Sequence, residues 1–141
     1  MEKIIFESTL YAIILRDNFD KDGITFFTEN DLSQQLAFMK HPKGKIIQPH
    51  IHVPVERIIN STQEVLHIKK GKLKVNFFNI QKKFMGVQIL EKGDTILLIN
   101  GGHGFEVLEQ IEMLEIKQGP YNKNKDKKKF VEVNDNKIKI R

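Results

Sequence analysis

Apolar and polar residues alternate with a period of two along much of the chain. In "KLKVNFF", Leu73, Val75 and Phe77 alternate with Lys72, Lys74 and Asn76, so an extended segment here has one apolar face and one wet face. "EVLHIKKGKLKVNFF" predicts two strands joined by a tight turn at "KKGK", and "FMGVQILEKGDTILLI" repeats the device with its turn at "EKGD". "GFEVLEQIEMLEIK" predicts two further strands. Earlier in the chain, "LYAIILR", "ITFF", "LAFMK" and "KIIQPHIHVPV" are β-rich and are separated by the turn clusters "DNFDKDG" and "HPKG". "TENDLSQQ" has room for one helical turn, and "KFVEVNDNKIKI" predicts a terminal hairpin about Asn134, Asp135 and Asn136. Turn signals at short, regular spacing with few helix-period segments predict an all-β antiparallel sandwich or barrel.

The 141 residues suffice for one domain with a real core, and 40% hydrophobic with 29% charged residues is ordinary for a globular protein. No apolar run is long enough for a membrane-spanning helix, so no membrane partner is expected. The opening "MEKIIFESTLYAIILRD" is interrupted at Glu7 and lacks a small-residue cleavage site, so no signal peptide is expected. The chain has no cysteine, which excludes disulfides and thiolate metal sites and fits a cytoplasmic protein. The net charge of +5 owes much to Lys123, Lys125, Lys127, Lys128 and Lys129, crowded in "NKNKDKKKF". That run has no aromatic interleaving and reads as a solvated loop, so no nucleic-acid partner is expected.

The candidate chemistry lies in "PHIH". On a strand, His50 and His52 project from the same face, and neutral imidazoles are good ligands for zinc, iron, nickel or manganese. Two desolvated imidazoles side by side each need a partner, which a metal supplies. Glu64 shares a strand face with Leu66 and Ile68. If those two face the interior, Glu64 does too and His67 points out. His103, after Gly101 and Gly102, is the third imidazole that can reach the same interior point. The expected metal set is therefore His50, His52, Glu64 and His103, with His41 and His67 left at the surface.

These residues resemble the cupin superfamily. Gly44, His50 and His52 follow the opening of its first motif, and Glu64 with Gly71 follows its closing Glu-x6-Gly. Gly93, Gly101 and His103 outline the second motif, with Ile99 in place of its proline and Val107 in place of its last asparagine. Eleven residues separate His52 from Glu64 where the family has three or four. Glu56 satisfies the shorter spacing and is the alternative carboxylate ligand. A narrower likeness, carried by "PHIH" and "LEIKQGPY", is to WbuC-like small cupin metalloproteins found with surface-polysaccharide genes.

The resemblance implies a single-domain jelly roll, the double-stranded β-helix of cupins, over residues 1–141. Its barrel heart is expected at 44–119, N-terminal strands at 1–43 and a Lys-rich loop with a hairpin at 120–141. It implies a divalent transition metal and a small sugar-like or nucleotide-sugar metabolite, with Lewis-acid isomerase or epimerase chemistry. Glu56 is the candidate base, Tyr121 a candidate proton donor, and Arg57 and Asn100 candidate substrate contacts. The alternatives are a non-catalytic metabolite-binding cupin and an iron-dependent dioxygenase. A homodimer is expected, with terminal strands covering a neighbour's sheet and Leu10–Arg16 as an edge that needs cover.

Overall fold

A computed structural model describes residues 1–123 and 127–131, which contain no helix. Eight strands follow one another: β1 (Glu2–Phe6), β2 (Thr9–Leu15), β3 (Gly23–Phe26), β4 (Ala37–Lys40), β5 (Glu64–Phe78), β6 (Phe84–Glu91), β7 (Thr95–Leu98) and β8 (Gly102–Lys117). Five lie side by side in the order β1-β2-β7-β5-β6, β8 adds to the other edge of β5, and β3 and β4 form a separate pair. All pairings are antiparallel. The architecture is an all-β, curled half-barrel. No helix among the described residues is long and apolar enough to cross a membrane.

β5 is the spine. Glu64–His67 pair with β7, Lys72–Phe78 pair with β6, and β8 runs along the opposite edge from Glu64 to Phe78. The expected turn at "KKGK" is instead a bend within this one strand, and "GFEVLEQIEMLEIK" is likewise one strand, β8. The register slips between Ile68 and Leu73, and Gly71 sits there at φ +92°. A Cβ on Gly71 would stand 2.1 Å from the Gln110 carbonyl oxygen, so the close approach at the bend needs glycine. The "EKGD" turn between β6 and β7 is as expected, and it docks into the bend. Gly93 donates to the Ile68 carbonyl at 2.7 Å, and Ile68 donates to the Asp94 carbonyl at 2.9 Å.

Cross-strand partners share a face, so the register assigns the two cores. Ile14, Ile96, Leu66 and Glu115 form one row, and Ala12, Leu98, Glu64 and Lys117 form the next, both on the concave face. There Leu66, Ile68, Leu73, Val75 and Phe77 are buried with Tyr11 and Leu90. On the convex face Ile13, Leu97 and Ile99 pack with Phe27 beneath the β3–β4 pair. Each such fully buried side chain contributes about 1.5–3 kcal/mol of transfer free energy.

Two expected elements do not form. "TENDLSQQ" is a run of turns and bends rather than a helical turn, and "KIIQPHIHVPV" is not a strand. Residues 42–62 are exposed throughout and form an arm between β4 and β5. The arm has the alternation of a strand but pairs with no strand among the described residues, and an extended segment without a partner leaves its backbone to water. The expected terminal hairpin lies largely outside the described residues.

Candidate functional site

The bend at Gly71 brings together the two ends of the β5–β8 ribbon. Glu64 is paired with Lys117 at one end and His103 with Phe77 at the other. Across the concave face, His103 Nε2–H donates to Glu64 Oε1 at 2.7 Å. The Glu64 side chain is 13% exposed and that of His103 30%. Glu64 thus faces inward with Leu66 and Ile68, as the alternation predicts, while His67 faces the other way.

Glu115 lies one row over. Its carboxyl donates a hydrogen bond to Glu64, and this contact, with some burial, raises Glu115 above its ordinary carboxylate value. The Glu64 carboxyl is held below its ordinary value, chiefly by His103, against the opposing effect of its burial. The two adjacent carboxyls are therefore pushed apart in proton affinity, Glu64 downward and Glu115 upward. Lys117 Nζ stands 4.0 Å from Glu115 Oε1 and 5.1 Å from the centroid of the Tyr121 ring. The Phe105 ring lies 5.3 Å from that of His103 and is 40% exposed, giving the site one apolar wall.

Of the four expected metal donors, the chain brings together Glu64 and His103. His50 and His52 sit on the exposed arm, their ring centroids 5.2 Å apart at 77°. His50 Nδ1–H donates to the Gln48 carbonyl oxygen at 2.9 Å, so Nε2 is the ring nitrogen left for a further partner. The donor types suit a transition metal. Their placement does not make a site, because the described residues contain no group of three or more His, Asp or Glu side chains that could hold a metal ion.

The remaining candidates scatter. Glu56 and Arg57 are exposed on the arm. Asn100 Nδ2 donates to the Leu10 carbonyl at 2.9 Å, tying the end of β7 to β2. Tyr121 is 63% exposed beside Lys117. Two histidines expected at the surface are half-buried: His67 Nδ1 lies 2.9 Å from Thr95 Oγ1, and His41 Nε2 is enclosed without a partner among the described residues. Glu115 and Lys117 escape a reading by motif. Their signal is positional, since two residues apart on β8 they fall opposite Leu66 and Glu64, and that register is a long-range fact.

Comparison of the chain with models of known families, with curated proteins and with solved structures gives no match.

Proposed function

We propose that the concave face binds a small, sugar-like hydroxy-carbonyl metabolite and moves a proton on it. The observation that carries this reading is the 2.7 Å contact between His103 and Glu64, with Glu115, whose carboxyl Glu64 holds above its ordinary value, on the neighbouring row. Neighbouring groups whose environments push their proton affinities apart form an acid–base pair. Glu64, as carboxylate, takes a proton from the carbon next to the substrate carbonyl. Glu115, as carboxylic acid, gives one to the carbonyl oxygen. His103 positions Glu64, and the Lys117 ammonium lies near enough to favour the developing oxyanion. Phe105 and Val107, both partly exposed on the same face, offer an apolar floor. Isomerisation or epimerisation is the reaction class this arrangement serves, within a cupin-like fold.

Thermal-shift titration with a panel of sugar phosphates and nucleotide sugars tests the reading. A stabilising ligand should lose its effect in Glu64→Gln and in His103→Asn. A ligand that stabilises both variants as much as the parent chain binds elsewhere and refutes it.

The His50 and His52 rings, 5.2 Å apart on the arm, favour a second reading, in which the arm carries half of a divalent-cation site whose other half is Glu64 and His103. No step is assigned to a metal, because the four donors stand apart in the chain as described.

A further inference from the structure

Among the described residues there is a strand-like segment without a sheet and a sheet edge without a strand. In the arm, Ile47, Ile51, Val53 and Val55 alternate with Gln48, His50, His52 and Glu56, so an extended arm has one apolar and one polar face. None of the described residues covers the apolar face: Ile51 is 90% exposed, Val53 75% and Val55 61%. The arm is anchored where it joins the body. Gln63 donates from its backbone to Gln118 Oε1 at 2.7 Å and accepts from the Gln34 backbone at 3.1 Å. The edge is β8, which among the described residues pairs with β5 alone. Its convex side leaves Leu114 and Ile116 52% and 59% exposed. A long unpaired edge flanked by exposed apolar side chains is a ready template for another strand.

We infer that two copies of this chain exchange arms, residues 45–59 of each adding as a strand to the free edge of the other's β8. Charge complements shape. The exchanged segment carries Lys45 and Arg57 against Glu56 alone, while β8 carries Glu106, Glu109, Glu112 and Glu115 against Lys117 alone. Lys74 and Lys72 meet Glu106 and Glu109 within the chain, and Glu115 meets Lys117, which leaves Glu112 for an incoming basic segment. A two-fold exchange satisfies both unpaired elements of both copies in one isologous contact. With its apolar face over Leu114 and Ile116, the arm turns His50 and His52 to the concave side, where Glu64 and His103 meet. Each site is then completed by the other copy. This last step rests on the site proposed above, whereas the exchange does not.

Sedimentation of the full chain at low micromolar concentration, without ligand, should give twice the 16.4 kDa chain mass. The doubly substituted Ile51→Asp/Val53→Asp chain should sediment at the single-chain mass with an unchanged β spectrum, because these side chains do not pack on the body. The chain lacks cysteine, so introduced thiols are unambiguous. Mixed Val53→Cys and Leu114→Cys copies should be joined by a short bismaleimide into a covalent dimer. A single-chain mass for the parent, or cross-linking only within one chain when both substitutions share it, overturns the exchange. A dimer that binds none of the sugars refutes the proposed site and leaves the exchange standing. A monomer that binds them does the reverse.

Discussion

His103 and Glu64 touch although they belong to opposite ends of the same two-stranded ribbon, one paired with Phe77 and the other with Lys117. Two features make this possible. The ribbon bends at Gly71, and only four residues separate Leu98, the β7 partner of Glu64, from His103. The candidate site therefore depends on backbone curvature as much as on its own side chains.

Gly71→Ala should be among the most damaging single substitutions. The added methyl would meet the Gln110 carbonyl at 2.1 Å in a left-handed backbone conformation, and neither atom is the end of a flexible side chain. A loss of about 3 kcal/mol or more is expected from strain and clash together. Gly23→Ala is the control. It shares the positive φ but meets nothing within 4 Å, so it should cost about 1–2 kcal/mol. Urea denaturation of the two variants measures the difference.

Asp94 ties the β6–β7 turn to β2. Its buried carboxylate accepts from Arg16 Nη1 at 3.0 Å, from the Asp17 backbone at 3.0 Å and from the Glu91 backbone at 2.9 Å. Asp94→Ala strands two backbone donors and one guanidinium, and should lower stability by about 3–5 kcal/mol. Lys74→Ala removes an exposed pair with Glu106 and should cost less than about 1 kcal/mol. Denaturation midpoints of the two variants should differ accordingly.

Acid should act on the site through Glu64. Its carboxyl titrates below the ordinary value of 4.5 in the fold, so it contributes stability above that value and loses it as pH falls through its folded value. Glu115 has the opposite sign. Raised by Glu64, it favours the fold at low pH and loses that contribution as pH rises through its folded value. Glu64→Gln should therefore be most destabilising near neutral pH, and its gap from the parent chain should narrow below 4.5. Denaturant midpoints followed from about pH 7 to about pH 3 test this. A constant gap contradicts it.

If the arm does carry half of a cation site, His50→Ala/His52→Ala should remove a bound divalent metal and the thermal stability that the metal confers. Metal content by mass spectrometry, on protein never exposed to a nickel column, decides it. Unchanged metal content in that variant rules the arm out as a ligand.

Much of this fold is legible in period-two alternation. β2, the strands β6 and β7 with the "EKGD" turn between them, and the inward face of Glu64 all follow from local pattern. "KKGK" is misleading because the same residues suit a hairpin turn or a bend in one strand. Only the partner strand β8, some forty residues on, separates the two. "KIIQPHIHVPV" is misleading for a related reason. Its alternation is that of a strand, but β-structure is stabilised by neighbours, and the chain as described provides none. The His-x-His spacing inherits that dependence, so the expected meeting of four donors reduces to the two that sit on paired strands. Glu115 and Lys117 carry no motif, and their place follows only from the register of β5 with β8.

The central claim is that Glu64 and His103 act as one unit on a ligand at the concave face. Its most direct test is the NMR spectrum of the His103 ring, followed in the parent chain and in Glu64→Gln during titration with a stabilising sugar phosphate or nucleotide sugar. The account predicts that the substitution moves the His103 ring resonances and that the ligand moves them in the parent chain alone. Ring resonances indifferent to both would contradict it.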